Sequence, residues 1–460
     1  MAIVRTHRPV WTAEKCLSCD ACRHKCAETV FCELGAEPDS LRGRVAREVD
    51  FPPGPLAAPP CRAACPLGQD VPGYLHAISS GDFDRALQII LENNPMPSVC
   101  GHLCVRPCVH ACVRGTLDHP VRIRALKLVA SQAGNRPIRA PEQELEERVA
   151  VVGSGPAGLS AAFFLKRSGY QVEVYESGDL SGGLLRRAVP DFDLPAEALD
   201  KDIGRITDAG VRILTSHRVD LKTGPAELLA GGARAVILAL GCPAGSRAGL
   251  PGEDLDGCYQ ALSFAREHRD EGGAPIEGPA VVAGSGHMAL AVARMAARAG
   301  ARPVHLLMRR SRREFSGDPD ALKQAGEEGV QVHEEIRPVE LIGDRRLETV
   351  RCLPVVYGPA DNSGRRWPVP GLSPDPATAR EIPAGVFIAA EDRVPDADSL
   401  GDLAGPLGTL RVDTENLMTP VAGVFGAGEV ITGSRNLVAS LASGMRAAEC
   451  VEAWLKEIRP

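Results

Sequence analysis

The sequence predicts an α/β chain in which two strand–glycine turn–helix openings follow a cysteine-rich front. Three observations carry this. Residues 148–176, RVAVVGSGPAGLSAAFFLKRSGYQVEVYE, read strand, glycine turn, helix, second strand and terminal acid. Residues 279–300, PAVVAGSGHMALAVARMAARAG, repeat the strand, the glycine turn and the helix. Of 15 cysteines, the eleven at 16, 19, 22, 26, 32, 61, 65, 100, 104, 108 and 112 lie before residue 113.

The chain has 460 residues, too many for one core, and the length prior is about three domains. A hydrophobic content of 44% supports ordinary globular cores. A net charge of -7 with no polybasic run argues against a nucleic-acid surface, and 4% aromatics leave few stacking platforms for single strands. The start, MAIVRTHRPVW, has no apolar stretch of the secretory kind, and no run is long enough to span a bilayer. The expectation is a cytoplasmic protein. In such a chain crowded cysteines point to metal or cluster ligation rather than disulfides.

Residues 16–26, CLSCDACRHKC, place Cys16, Cys19, Cys22 and Cys26 in the CxxCxxCxxxC run of bacterial ferredoxins. Three thiolates on such a loop hold three irons of a [4Fe-4S] cube, and the fourth reaches another cube in two-cluster ferredoxins. Ala27 stands where ferredoxins carry proline, so the fourth ligand is open between Cys26, Cys32 and a later cysteine. A zinc site or reduced thiols are the alternatives. Residues 51–60, FPPGPLAAPP, are too proline-rich for a helix and read as a linker. Cys61 and Cys65 follow, then a helix over Asp82–Asn93, then Cys100, Cys104, Cys108 and Cys112 at every fourth position. Gly101 and Pro107 predict irregular backbone there rather than one helix face.

In the first opening Gly153 permits a tight turn. Gly155, followed by Pro156 and Ala157, lets backbone N–H groups approach a pyrophosphate at the helix N-terminus, and Gly158 lets helix and strand pack closely. Glu176 ends the second strand, Val172–Tyr175, where a carboxylate accepts ribose hydroxyls. The run Ala235–Gly241 reads as a buried strand ending in small residues that let chain and cofactor approach. In the second opening Gly284, Gly286 and Ala289 have GxGxxA spacing, and His287 follows the turn. After the next strand, Pro303–Met308, come Arg309 and Arg310, with Arg312 and Arg313 beyond. Arginine at that strand end offers a bidentate partner to a 2′-phosphate, which favours NADPH over NADH; a solvated basic turn is the bland alternative. The later cysteines Cys242, Cys258, Cys352 and Cys450 are isolated and read as packing residues.

The segments NNPMPSVCGHLCVRPCVHACVRG, GSGPAGLSAA, GGLLRRAVPDFDLP and GVFGAGEV recur in the same order in the small subunit of bacterial glutamate synthase and the amino-terminal half of dihydropyrimidine dehydrogenase. The chain resembles that family over about residues 55–460. The resemblance implies a helical Fe-S domain, an FAD domain and an NAD(P) domain inserted into it, with hydride passing from NADPH to FAD and single electrons through [4Fe-4S] clusters to another site. It implies flavin contacts at Gly182, Gly183 and Leu184, and a ribityl contact at Glu429, after Gly428, where relatives carry GGD. It also implies Cys65, Cys104 and Cys108 as ligands of one cube. Lys127 stands where relatives offer glutamine or glutamate, so Cys100 is expected to take that role, and the family's second cube keeps only Cys61 and Cys112. One cube is expected here and a second in the N-terminal run, an additional electron port that those relatives lack. Asp193 stands where relatives carry lysine or arginine, and is expected to put negative charge near the flavin. His287, Ala291 and Glu391 depart from the family at the nicotinamide site.

The expectation is two nested Rossmann-like domains behind a helical Fe-S domain and a ferredoxin-like extension, with boundaries at 1–50, 51–145, 146–265 with 396–460 for FAD, and 266–395 for NAD(P). The predicted function is an NAD(P)H-dependent FAD/iron–sulfur oxidoreductase subunit. It passes electrons to other subunits of a redox complex or a ferredoxin-like acceptor. A wiring subunit with a degenerate nicotinamide site is the rival, and glutamate synthase small subunit proper a third reading. Dithiol chemistry of the thioredoxin reductase type is excluded, because no CxxC occurs after residue 112.

Overall fold

The computed structural model describes residues 58–458 apart from 139–140, 142, 246, 270–272, 313–314, 316–318, 360–365, 367–374 and 391–392. Cys16, Cys19, Cys22, Cys26, Cys32 and Glu391 lie outside the described residues. By its contacts the chain divides into two units, 58–97 with 106–136, and 98–105 with 137–458.

The first unit is helical, with α1 (Pro60–Ala63), α2 (Val71–Ser79) and α3 (Phe83–Leu91). Asp70 and Asp82 cap α2 and α3, accepting from the amides of Gly73 at 3.1 Å and Arg85 at 2.9 Å. The chain continues through α4 (Pro97–Leu103) to α5 (Pro107–His110) and α6 (Ile123–Ala133). Between α4 and α5 Arg106 is left-handed at φ 62°, so the every-fourth cysteines do not share one helix. The core of this unit is Val71, Tyr74, Ala86, Ile90, Ile123 and Ala130, joined by the Cys108 side chain, with Cys61 and Cys112 packed against it.

The second unit contains two parallel sheets. Sheet one is formed by β1 (Arg148–Val152), β2 (Gln171–Tyr175), β3 (Arg212–Leu214), β4 (Ala233–Leu238) and a late strand that follows the second sheet. Helix α7 (Pro156–Arg167) joins β1 to β2, then come α8 (Leu184–Arg187) and α9 (Ala196–Asp208). After α10 (Gly224–Ala230) and β4 the short strand β5 (Ala244–Gly245) leads out of this sheet.

Sheet two has the order β6-β13-β7-β8-β9, all parallel. Its strands are β6 (Cys258–Gln260), β7 (Ala280–Ala283), β8 (Val304–Leu307) and β9 (Val330–His333), with β13 to follow. Helices α11 (Ala261–His268), α12 (His287–Arg298) and α13 (Pro319–Glu327) accompany it. An antiparallel sheet of β10 (Ile336–Gly343), β11 (Leu347–Pro354) and β12 (Arg380–Pro383) precedes β13 (Val386–Ala389). Strand β14 (Arg393–Val394) then pairs antiparallel with β5, Arg393 opposite Gly245. Beyond α14 (Ala397–Leu400), β15 (Val424–Gly426) completes sheet one in the order β15-β4-β1-β2-β3, followed by α15 (Glu429–Thr432) and α16 (Leu437–Glu457). Every strand of sheet two thus lies between β4 and β15 in sequence: one lobe is inserted into the other through the β5–β14 neck.

Both parallel sheets read as apolar runs because both faces are covered. On sheet one α7 and α16 pack so closely that a Cβ on Gly444 would lie 2.1 Å from the Ala157 carbonyl oxygen. The boundary expected at 265/266 falls inside α11, whose Ala261, Leu262, Phe264 and Ala265 belong to the core of the inserted lobe. That lobe therefore begins before β6, because β6 pairs with β13. The expected 51–145 domain is also divided, since 98–105 groups with the second unit. Within that unit Asp202 on α9, wholly buried, holds the segment, its carboxylate accepting from the Val99 amide at 2.8 Å.

Candidate functional site

The first glycine turn sits where β1 gives way to α7. Gly153 has φ +104°, and a Cβ there would stand 2.5 Å from the Ala239 carbonyl oxygen. A Cβ on Gly158 would come 1.9 Å from the Gly153 carbonyl oxygen, which is why helix and strand tolerate no side chain at that contact. Gly155 caps α7 and Pro156 opens it. The following loop folds over this turn: Gly182 donates to the Ser154 carbonyl at 3.1 Å, and a Cβ on Gly183 would stand 2.9 Å from the Gly155 Cα. Gly153, Gly155 and Gly183 form part of the wall of a cleft of about 940 Å³, at the upper end of the roughly 300–1,000 Å³ of ligand pockets. The cleft fits an extended dinucleotide.

Of the expected residues, Gly153, Gly155, Pro156, Ala157, Glu176, Gly183, Leu184, Gly241 and Glu429 line it. Gly158 serves packing. Gly182 holds the overlying loop, and Gly428, whose amide donates to Ser443 Oγ at 2.8 Å, closes the turn after β15. Sequence reading missed Ser154, Arg187, Arg393 and Leu437, which also line the cleft; no spacing rule marks any of them.

Glu176 closes β2 and is 5% exposed. One carboxylate oxygen accepts from the Ser154 amide at 3.1 Å and hydroxyl at 2.6 Å; the other accepts from the Gly178 amide at 2.8 Å and Arg187 at 2.9 Å. Burial works against its ionisation, yet those hydrogen bonds and the Arg187 guanidinium outweigh it and hold the carboxyl below the usual range. An anionic acceptor is therefore fixed at the end of β2.

At the opposite end Glu429 is 8% exposed. Its two oxygens each accept from a different terminal nitrogen of Arg393 at 2.7 Å, and one also accepts from the Arg435 amide at 2.8 Å. Asn436 caps α16, accepting from Ala439 N at 3.0 Å, and Leu437 and Ser440 of its first turn line the cleft. Burial pushes the Cys242 thiol up to about 12, and its sulfur donates to the Glu429 carbonyl at 3.4 Å. That thiol is packing, not a nucleophile.

Asp193 does not bring free negative charge to the cleft. It pairs with Arg294 of α12 at 2.7 Å, and Arg294, itself 5% exposed, also grips Glu328 through two nitrogens at 2.9 Å. Phe192 lies under the guanidinium groups of Arg294 and Arg298, at 4.5 and 4.0 Å. With Asp191 bound to Arg269 at 2.8 Å, residues 191–193 strap the outer lobe to the inserted one. The carboxylate was expected to act on the flavin; it acts on the neighbouring helix instead.

The second turn has the same construction. A Cβ on Gly284 would meet the Ala390 carbonyl oxygen at 2.6 Å and the Ala289 Cβ at 2.8 Å. Gly286 caps α12 and His287 is its first residue. Strands β7 and β8 are neighbours, so Arg309 and Arg310, which follow β8, stand beside this turn; the Arg309 amide donates to Ser285 Oγ at 3.1 Å. Both are exposed, whereas Arg312 is tied to Glu334 at 2.7 Å.

The described residues hold ten of the cysteines, six of them before residue 113. In the first unit α1, with Cys61, packs on α5, with Cys108, and Cys65 and Cys112 follow these two helices directly. Cys100 and Cys104 lie in the 98–105 segment. Lys127 is buried on α6 with its Nζ 5.9 Å from the Tyr74 ring centre. Among the described residues no three ligand side chains close on a single metal ion, the spacing of a zinc site.

Residues 147–446 match the pyridine nucleotide-disulphide oxidoreductase family and residues 56–136 the 4Fe-4S domain II of dihydropyrimidine dehydrogenase. The chain is 33% identical to the NADP(+)-dependent formate dehydrogenase subunit beta of Moorella thermoacetica, over 88% of this chain and 61% of that protein. It is 33% identical to the NADPH-Fe(3+) oxidoreductase subunit beta of Geobacter sulfurreducens, over 86% and 64%. The chain thus spans less than two thirds of these relatives' length. The glutamate synthase [NADPH] small chain of Azospirillum brasilense is 30% identical over 86% of both chains. In fold the chain is similar to Mycobacterium tuberculosis FprA in complex with NADPH, at TM-score 0.56 and 18% identity over 68% of this chain and 85% of that one. Two glycine turns on nested parallel sheets and these matches place the chain in the pyridine nucleotide-disulphide oxidoreductase family, with a 4Fe-4S domain of the dihydropyrimidine dehydrogenase type ahead of them.

Proposed function

We propose that this chain exchanges electrons two at a time with a nicotinamide nucleotide and one at a time with a partner protein. The observation that carries the reading is the joining in one chain of a dinucleotide cleft, a second glycine turn and a 4Fe-4S domain. Bound FAD supplies the one chemistry that accepts hydride and releases single electrons. The chain's own residues have separate tasks. The turn at Gly153–Gly158 and the Glu176 carboxylate hold the adenosine diphosphate half, while the α16 N-terminus lends positive partial charge to the other end. Gly284, Gly286 and His287 receive the nicotinamide nucleotide, and Arg309 with Arg310 favours NADPH by pairing with its 2′-phosphate.

For the clusters the proposed ligands are Cys65, Cys104, Cys108 and Cys100 for one cube, and Cys16, Cys19, Cys22 and Cys26 for a second, while Cys61 and Cys112 are what remains of the family's other cube. The acceptor is another subunit of a redox complex or a ferredoxin-like protein. Anoxic addition of NADPH or NADH to the FAD-loaded chain tests the nicotinamide half. Bleaching of the flavin band by NADPH at lower concentration than by NADH is expected; bleaching by neither would leave a wiring subunit that links clusters without a nucleotide.

A further inference from the structure

We propose that Arg393 is the cation that faces the isoalloxazine end of the cleft, and that Glu429 is its positioning residue rather than a direct ligand of the cofactor. The inference rests on FAD occupying this cleft. The order β15-β4-β1-β2-β3 sets the direction of a dinucleotide lying across it. The glycine turn after β1 takes the pyrophosphate, and Glu176 at the end of β2 marks the adenosine side. A ring system bound at the other end would meet the ends of β4 and β15, where Gly241, Glu429, Leu437 and Arg393 line the cleft.

Arg393 reaches that end from the inserted lobe's return strand. Its backbone is fixed by the pairing of β14 with β5, and its side chain by two parallel bonds to Glu429 and a third, at 3.4 Å, to the Arg435 carbonyl. A guanidinium has five donors, so two are left to a ligand. Within the pair the arginine side chain is 18% exposed and the carboxylate 10%, so the cation is the more open member. Glu429 already accepts at both oxygens and is turned toward Arg393 and Arg435. Uptake of a hydride, two electrons and one proton, leaves one negative charge on a flavin that was neutral. A guanidinium beside it in a poorly solvated cleft favours the reduced form, in the same sense as the α16 N-terminus.

The test is an anoxic redox titration of the flavin band in the FAD-loaded full chain and in Arg393→Lys, Arg393→Met and the double variant Arg393→Met/Glu429→Gln. The double variant leaves no unpaired buried charge, so it keeps the measurement open should Arg393→Met alone not fold. The expected result is a midpoint potential lowered in both methionine variants by about 30 mV or more, the two-electron equivalent of a tenfold change. Arg393→Lys, which keeps the charge, should lose less than half of that. An unchanged potential in the double variant overturns the proposal, whether FAD is fully retained or partly lost, because the pair would then be a fastening between lobes. A wild-type chain with no yellow chromophore would instead refute the cofactor reading on which the proposal stands.

Discussion

Asp202 shows how one buried carboxylate ties a cysteine segment to the flavin-type lobe. Burial pushes its pKa up to about 6, against the Val99 hydrogen bond and the Arg205 charge that favour ionisation; an unfolded aspartate titrates at about 3.9. Between these values the folded chain holds a proton that the unfolded chain has released. This group's contribution to stability is therefore full below pH about 4 and is lost as the pH rises through about 6. Asp202→Asn removes that part of the pH dependence, which urea unfolding followed by flavin fluorescence from pH 4 to 7 would read; a slope unchanged in the variant would contradict the assignment. Asp193 gives a second prediction at this scale. Since its charge is held by Arg294, Asp193→Asn leaves the flavin potential unchanged, and a rise on anoxic titration would restore the expectation drawn from sequence.

At the scale of elements, the glycine turns are the most constrained pieces. A Cβ at Gly158 would be 1.9 Å from a backbone oxygen, so Gly158→Ala must part α7 from β1. Overpacking of this kind costs about 1–3 kcal/mol, and FAD retention measured by gel filtration should weaken roughly tenfold or more. The strap between lobes is the second such piece. Arg294→Met leaves Asp193 and Glu328 without their main partner. It should destabilise the folded state by about 3 kcal/mol, the low end for a broken buried pair, because the two carboxylates keep 28% and 25% of their side-chain surface. Thermal unfolding of the loaded chain checks this.

These elements were legible in sequence to unequal degrees. The glycine turns could be read because each glycine answers a local steric demand that fixed spacing reveals. Strands β1, β2, β4, β7 and β8 could be read from apolar runs, whereas β3, β6, β9, β13 and β15 are too short or too mixed to announce themselves. The partners of Asp193 and Arg393 were not legible, because they lie 101 and 36 residues away and meet only through the nested topology. The inserted lobe's start was misplaced for a related reason. β6 is three residues long and belongs to sheet two only through its pairing with β13.

At the scale of the whole molecule, the insertion of one dinucleotide lobe into another through a two-stranded neck brings two nucleotide-handling turns under one covalent frame. Among the described residues no helix is long and apolar enough to cross a membrane. The paired substitution Arg309→Ala/Arg310→Ala should erase a preference for NADPH over NADH while leaving FAD content intact, as read by the concentration of each nucleotide that half-bleaches the flavin. The central claim is that electrons entering as hydride leave singly through iron–sulfur clusters. Its most direct test is freeze-quench EPR of the anoxically purified chain after one equivalent of NADPH. The account predicts a signal of reduced [4Fe-4S] appearing together with the loss of the flavin band. A bleached flavin with no cluster signal at any time, in a sample whose iron and sulfide content shows intact cubes, would contradict it.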